Sequence, residues 1–310
     1  KIKTCCLLLP AMPMLFREGF GRHSLVQKLR QMCFARPGLP RAAATLAVLT
    51  SVTCLQVLRD TACFVENGAM WSARQSRRTA LSARSARRSD DGLVMVEAPG
   101  RHTATVIWLH GLGDTGEGWM DVGPQLQMQF PFVRFLFPTA PTQRVTVNMG
   151  MSMPSWFDIN SLEPELFKLN PPGLKESASY VRHLMQEQLD AGLSSDRVVL
   201  AGFSQGGAVV LEAALGTGTS QEEPCCGAVL VLSSFVGSKL PALLPPTPVH
   251  FFHGEPDQVV PMSWGQRSLR DLEAKGLKPS FKSYANMPHS ACAEELQDIA
   301  AVLRDVLGSE

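Results

Sequence analysis

The sequence is poor in the residues on which several common protein classes depend. Of its eight cysteines only three follow residue 90, and two of these, Cys225 and Cys226, are adjacent. Such a set makes a poor disulfide framework, and no Cys-x-x-Cys or paired His/Cys spacing predicts a structural zinc. The sequence therefore indicates a domain suited to a reducing compartment, with no metal or organic cofactor.

Acidic residues are almost absent from the first 89 positions, where 15 of the 29 lysines and arginines accompany only three acids. The remaining 221 residues carry 14 basic and 25 acidic side chains. This acidic part has no basic patch that would favour nucleic acid, so nucleic acid is not an expected partner. We place a domain boundary near Asp90, between a basic extension at 1–89 and a folded domain at 90–310.

The extension has the composition of a disordered or targeting segment. Its residues 42–58 form 17 uncharged positions, which is short for a membrane-spanning helix and long for the core of a signal peptide. Residues 70–89 carry six arginines and five serines without an acid, as organellar transit segments do. This composition fits either a two-part targeting leader or a disordered basic extension without a targeting signal. Cys5 and Cys6 are either sites of S-acylation or unmodified thiols.

From Leu93 onward, apolar runs alternate with helical patterns. The apolar runs predict buried strands at 106–109, 132–137, 198–202, 228–232, 249–252 and 281–284. Helical spacing predicts helices at 119–129, 174–189, 263–275 and 296–306. This alternation predicts an α/β fold with a mostly parallel central sheet and helices on both faces. The short connection at 233–248 leaves no room for a cap domain.

The sequence Gly202-Phe-Ser-Gln-Gly206 lies between an apolar run and a helical run. A strand that turns into a helix here forces Ser204 into a tight turn, and glycines at 202 and 206 remove Cβ atoms that would clash. The turn would present the Ser204 hydroxyl at the carboxyl edge of the sheet, where active sites of such folds lie. We therefore predict that Ser204 is a nucleophile.

The predicted base follows by elimination. A serine hydroxyl needs a base that accepts its proton, and the base needs a carboxylate that fixes its tautomer, in the chain order Ser, acid, His. Only three of the seven histidines follow Ser204. His250 and His253 belong to a predicted strand and its end, and no acid placed after a strand precedes them. His289, between the last strand and the last helix, is the predicted base.

The predicted acid is one of seven acidic residues between Ser204 and His289. Five of them lie on predicted helices or just before a strand: Glu212, Glu222, Glu223, Asp271 and Glu273. Glu255 and Asp257 remain, in the turn after a strand, and we prefer Asp257, with Glu255 as a solvated neighbour. Two acids that precede the serine are interpreted as holding turns or loops: Asp114 and Asp158.

A tetrahedral intermediate on Ser204 would need two N–H donors for its oxyanion. One predicted donor is the backbone N–H of Gln205, the residue after the nucleophile. The other is expected from the glycine turn at 110–114, where Leu112 and Gly113 are both candidates.

Four motifs occur in order along residues 93–310: His110-Gly-Leu-Gly-Asp-Thr-Gly-Glu-Gly-Trp119, Asn148-Met with Met153-Pro-Ser-Trp-Phe-Asp158, Gly202-Phe-Ser-Gln-Gly-Gly-Ala208, and His289-Ser290. Together they resemble the acyl-protein thioesterase and lysophospholipase branch of the α/β-hydrolases. The resemblance implies the α/β-hydrolase fold and a serine hydrolase that cleaves fatty acyl thioesters from protein cysteines. Two alternatives stay open: a small-molecule carboxylesterase or lysophospholipase, and a non-catalytic, membrane-tethered binding protein.

The resemblance places Ser204, Asp257 and His289 on the family's triad positions, and Leu112 and Gln205 on its oxyanion donors. It also assigns three residues to the substrate site: Gly113, Trp156 and Pro288. The loop at 233–246 and the approach Asn286-Met-Pro-His depart from the family's pattern and affect the preference for acyl length. The expected partners are S-acylated proteins or lipid esters, with transient contact to a membrane surface. We expect a cytoplasmic monomer or weak homodimer.

Overall fold

The structure is a computed structural model that describes four stretches: residues 86–89, 92–161, 169–216 and 225–308. They all belong to the second of the two units into which the chain divides, Arg78–Glu310. Several predictions made from the sequence fall outside the described residues. These are the apolar segment at 42–58, the acylation of Cys5 and Cys6, and the loop position of the acids at 222–223.

The described residues form short strands and helices in alternation. The strands are β1 Ala86–Arg88, β2 Val94–Val96, β3 Ala104–Leu109, β4 Val133–Phe137, β5 Thr142–Val145, β6 Met151–Pro154, β7 Val198–Phe203, β8 Ala228–Leu232, β9 Val249–Gly254 and β10 Ser280–Tyr284. The helices are α1 Gly116–Trp119, α2 Val122–Gln127, α3 Leu174–Asp190, α4 Gln205–Leu215, α5 Met262–Glu273 and α6 Ala293–Leu307. Among them, no helix is both long and apolar enough to cross a membrane.

Eight strands form one sheet in the order β1-β2-β4-β3-β7-β8-β9-β10. In this sheet the pairs from β4 to β10 are parallel, and only the β1–β2 and β2–β4 pairs are antiparallel. Strands β5 and β6 pair with each other, antiparallel, in a separate two-stranded hairpin. The mostly parallel sheet predicted from the sequence is therefore confirmed. In the pairing of β3 with β7, Leu109 lies opposite Gly202, so the glycine turn after β3 adjoins the serine turn after β7.

Each face of the sheet buries its own apolar core. Ile107 and Leu109 of β3 pack with α3, α4 and the end of α5, whereas Val106 and Trp108 pack with α2 and α6. This alternation follows from the two-residue period of a strand, which sends successive side chains to opposite faces. The prediction of helices on both faces is confirmed. Residues 233–248 contain neither helix nor strand, so β8 and β9 have no cap domain between them.

Two parts of the fold differ from the sequence predictions. In place of one helix over 119–129, the chain has a break between α1, which ends at Trp119, and α2, which covers Val122–Gln127. Pro124 accounts for the division, because its ring would clash with the carbonyl group four residues earlier in a continuous helix. Strands β1 and β2 were not predicted, since three-residue strands carry too little periodicity. Within the described residues, the first strand of the sheet therefore lies four residues before the predicted boundary at residue 90.

Candidate active site

Ser204 lies at a sharp turn between β7 and α4. Its φ of +54° and ψ of −119° form a conformation that non-glycine residues rarely adopt and that costs about 1–3 kcal/mol. A Cβ on Gly202 would overlap the backbone of Gly206, and a Cβ on Gly206 would lie 2.6 Å from the carbonyl oxygen of Leu109. Only glycine therefore fits at either position, as the sequence predicts.

The imidazole of His289 lies between Ser204 and Asp257. Its Nε2 is 2.9 Å from the Ser204 hydroxyl oxygen, and its Nδ1 is 2.7 Å from Asp257 Oδ2. Because a carboxylate only accepts, Nδ1 carries the hydrogen and Nε2 is free to accept the hydroxyl proton. The ring also packs against Phe203, with centroids 4.7 Å apart. The structure thus brings together Ser204, Asp257 and His289, the nucleophile, acid and base that the sequence predicts.

The carboxylate of Asp257 is fully buried, and each oxygen accepts a hydrogen bond. Oδ1 accepts from the backbone N–H groups of Val259 and Val260, at 2.9 Å each, and Oδ2 accepts from His289. These bonds leave the carboxylate one orientation. Glu255, the other acid that the sequence left open, is exposed and accepts from the Ser283 hydroxyl. It is the solvated neighbour that the sequence predicts.

The turn after β3 distinguishes the two candidate N–H donors. The Gly113 N–H donates to the carbonyl oxygen of Pro154 at 2.8 Å, so it is already engaged. The N–H groups of Leu112 and Gln205 donate to no protein group within the described stretches. Of the three predicted donors, Leu112 and Gln205 are therefore the two with a free backbone N–H.

The side chain of Gln205 fixes the loop at 155–157 against the serine turn. Its Oε1 accepts from the Trp156 N–H at 2.8 Å, and its Nε2 donates to the Phe157 carbonyl at 2.6 Å and to the Ser155 hydroxyl at 3.0 Å. An amide supplies both the acceptor and the donor that this loop requires. The sequence pointed to the backbone of Gln205 and missed the function of its side chain.

Trp156 lies in the core and offers a substrate almost no side-chain surface. It is 1 % exposed, and its indole N–H donates to the carbonyl oxygen of His110 at 2.9 Å. The Trp156 side chain therefore exposes almost no surface for the predicted contact with substrate. The residue instead supports the turn at 110–113. Of the other predicted substrate residues, Pro288 is exposed beside His289, and Gly113 has a φ of +80°.

His110 is a structural histidine. Its Nε2 accepts the Ala140 N–H at 2.9 Å, so the ring hydrogen is on Nδ1, which donates to the Gly111 carbonyl at 2.6 Å. Burial lowers the pKa of His110, which keeps the ring neutral. The two acids interpreted as holding loops do so: Asp114 accepts from the Thr115 N–H, and Asp158 accepts from the N–H and hydroxyl of Thr146.

No group of histidine, cysteine, aspartate and glutamate side chains in the described stretches could hold a metal ion. The chemistry available at this edge of the sheet is that of an activated hydroxyl and two backbone donors.

Residues 91–307 match the family described as phospholipase/carboxylesterase. The chain belongs to this family. Acyl-protein thioesterase 1 of Gibberella zeae is 41 % identical over 224 residues, which cover 68 % of this chain and 93 % of the relative. Acyl-protein thioesterase 1 of Cryptococcus neoformans is 38 % identical over 229 residues, with 66 % and 93 % covered. The protein is therefore a hydrolase, and the resemblance found in its motifs is confirmed.

Solved structures support the same fold. SOBER1 of Arabidopsis thaliana aligns with a TM-score of 0.58 and 29 % identity, over 66 % of this chain and 99 % of that one. Acyl-protein thioesterase 2 of Zea mays aligns with a TM-score of 0.57 and 28 % identity, over 70 % and 99 %. The prediction of an α/β-hydrolase fold is confirmed.

Proposed function

We propose that this member of the phospholipase/carboxylesterase family is a serine hydrolase that removes fatty acyl groups from S-acylated protein cysteines. The observation that carries the proposal is the position of His289, 2.9 Å from the Ser204 hydroxyl and 2.7 Å from the Asp257 carboxylate. Relatives named acyl-protein thioesterase, which this chain covers almost completely, support the choice of a thioester substrate.

The proposed reaction has two acyl-transfer steps. His289 Nε2 accepts the hydroxyl proton while Ser204 Oγ attacks the thioester carbonyl carbon, and the oxyanion forms on the carbonyl oxygen. The C–S bond then breaks, and the cysteine sulfur leaves as a thiol after taking the proton from His289. Water attacks the acyl-serine in the same way, with His289 as base and then as acid, and the fatty acid is released.

Asp257 and the two free donors stabilise the charges that develop during these steps. The imidazolium that forms on His289 faces the buried carboxylate, which also keeps the hydrogen on Nδ1. The backbone N–H groups of Leu112 and Gln205 are the proposed oxyanion donors, and each such donor is worth about 3–4 kcal/mol in the transition state. Gln205 has two functions in this scheme: its backbone N–H is an oxyanion donor, and its side chain holds the loop at 155–157 against the serine turn.

A membrane-surface contact is part of the proposal, because acyl chains on proteins lie in membranes. The β5–β6 hairpin adjoins the turn at 110–113, since Pro154 accepts the Gly113 N–H. Near its tip, Met149 is 88 % exposed and Met151 is 53 % exposed. Exposed apolar side chains beside a site commonly mark an interaction surface. The cytoplasmic location and the monomer or weak homodimer remain predictions.

The second candidate function is hydrolysis of lysophospholipids or small carboxylic esters, which the family's description as phospholipase/carboxylesterase favours. The same serine, base and acid would carry it, because oxyesters and thioesters share the tetrahedral intermediate. The two functions differ in which substrate reaches Ser204.

The proposal is tested by comparing hydrolysis of a palmitoylated cysteine peptide with hydrolysis of a lysophospholipid by the full chain. We expect a higher kcat/KM for the peptide than for the lysophospholipid. The Ser204→Ala variant should hydrolyse neither substrate and should not be labelled by a fluorophosphonate. Ser263→Ala, at an exposed serine in the first turn of α5, is the control and should behave as the unmodified protein. Labelling that persists in Ser204→Ala would refute the nucleophile, and preference for the lysophospholipid would favour the second function.

A further inference from the structure

A second histidine, His253, lies against the acid of the site and has no part in the mechanism above. It stands near the end of β9, is completely buried, and has its ring parallel to that of Phe281, with centroids 6.2 Å apart. On the α5 side, Gly265 leaves the space that the ring fills, because a Cβ there would lie 2.8 Å from His253 Nδ1. The ring is therefore held in one orientation.

The hydrogen bonds of His253 assign its tautomer. Nε2 is 2.8 Å from the carbonyl oxygen of Val260, which only accepts, so Nε2 carries the hydrogen. Nδ1 is buried and has no partner within the described stretches. Burial lowers the pKa of His253. Two titratable groups face the ring: the Asp257 carboxylate raises this pKa, and His289 lowers it further. The ring is therefore a neutral donor.

His253 and Asp257 are linked through the backbone of one residue. The Val260 carbonyl accepts from His253, and the Val260 N–H donates to Asp257 Oδ1 at 2.9 Å. His253 Nε2 also lies 3.6 Å from Asp257 Oδ2, the oxygen that faces His289. That distance is too long for a hydrogen bond, but it places the positive end of the N–H dipole beside the carboxylate.

We propose that His253 is a positioning residue: as a neutral Nε2–H donor it holds the turn at 257–260, and thereby aims Asp257 Oδ2 at His289. This inference rests on the proposed function, because it assigns a purpose to the orientation of the acid. It predicts that kcat depends on where residue 253 places its N–H donor, and not only on whether that residue is polar.

Substitution of His253 by glutamine and by asparagine distinguishes the position of the donor from the mere presence of a polar group. The side-chain nitrogen of glutamine can occupy the place of imidazole Nε2, whereas that of asparagine, one carbon shorter, reaches only the place of Nδ1. We expect His253→Asn to lower kcat about 100-fold with KM little changed, since misplacement of a supporting group by about 1 Å costs that much. We expect His253→Gln to retain the larger part of kcat. His250→Gln, on the same strand and hydrogen-bonded to Ser280, is the control and should match the unmodified protein.

A second variant moves the ring without deleting a donor. Gly265→Ala introduces a Cβ close to Nδ1 and should lower kcat while KM and the fold are kept, even if His253→Asn fails to fold. In an Asp257→Ala background, His253→Asn should have little further effect on kcat, because a residue that acts through Asp257 has nothing left to position.

The proposal is overturned if His253→Gln and His253→Asn lose kcat equally, if Gly265→Ala leaves kcat unchanged, or if His253→Asn lowers kcat by the same factor with and without Asp257. Its failure is distinguishable from failure of the proposed function. If the protein does not hydrolyse acyl-cysteine peptides, the same variants are compared by their rate of fluorophosphonate labelling at Ser204, which requires an activated hydroxyl but no thioester.

Discussion

Gly254 packs against the backbone of Met287 so closely that a Cβ on Gly254 would overlap the Met287 carbonyl group. Gly254 ends β9 and precedes Asp257 by three residues, and Met287 precedes His289 by two. The contact therefore sets how far the acid lies from the base. Two segments that meet only in the folded chain are brought to hydrogen-bonding distance by the absence of one side chain.

Replacing Gly254 by alanine should lower both activity and stability. The added Cβ forces the turn at 257–260 away from the loop of His289, which lengthens the Asp257–His289 bond. We expect kcat to fall at least about 100-fold, together with a lower Tm. Gly276→Ala is the control: it has a φ of +88° and open space around it, so it should lower Tm and leave kcat unchanged. Equal kcat in the two variants would contradict this account.

Asp257→Asn should inactivate the site while keeping its shape. The N–H groups of Val259 and Val260 both point at Oδ1, so the amide oxygen takes that place and the amide nitrogen faces His289. His289 Nδ1 must then accept, the ring hydrogen moves to Nε2, and Ser204 loses its base. We expect kcat to fall roughly 10⁴-fold on a p-nitrophenyl ester, with Tm nearly unchanged. Glu255→Gln, at the exposed neighbour, should retain full activity.

Gln205→Glu should separate the two hydrogen-bonding functions of this side chain. A carboxylate can still accept from the Trp156 N–H, but it cannot donate to the carbonyl oxygen of Phe157. The Phe157 carbonyl would keep only the bond from the Ser155 hydroxyl, and a buried carboxylate oxygen would face it without a hydrogen between them, so Tm should fall. Because the Gln205 N–H is a proposed oxyanion donor, kcat should fall more than KM rises. A stable variant with normal kcat would show that the loop at 155–157 is held by other contacts.

The sequence predicted those features that depend on local pattern and chain order. Apolar runs located six of the eight strands of the sheet, β3, β4 and β7 to β10, and the order serine, acid, histidine selected His289 and left Glu255 and Asp257 as the candidate acids. Each of these inferences needs only the period of an element or the type of loop that follows it. The break in the helix at 119–129 could also have been predicted, because the effect of Pro124 on a helix is local.

Features that depend on contacts between distant segments were not predictable in this way. The burial of Trp156, the neutral tautomer of His110 and the position of His253 all follow from which strands are neighbours in the sheet. The choice between Leu112 and Gly113 depended on a single bond from Gly113 to Pro154, which forms only when the β5–β6 hairpin packs beside the turn. Sequence periodicity carries no information about such a bond.

Glu295 provides a prediction about stability against pH. Its side chain is completely buried in the first turn of α6, and neither carboxylate oxygen has a hydrogen-bond partner within the described stretches. Burial raises its pKa from 4.5 to about 8. Between these values the folded protein keeps a proton that the unfolded chain has released, so this group makes the free energy of unfolding fall as the pH rises.

Replacing Glu295 by glutamine should remove this pH dependence, because an amide has no proton to lose. We expect the variant to be more stable than the unmodified protein at pH 8, by an amount on the order of a few kcal/mol, and the gain to shrink as the pH falls toward 5. Urea unfolding at pH 5, 6.5 and 8 measures the difference. Glu294→Gln is the control, since its carboxylate is 69 % exposed and should leave the pH dependence as it is. A Glu295→Gln gain that is the same at pH 5 and pH 8 would show that the carboxyl is not the group whose proton is linked to folding.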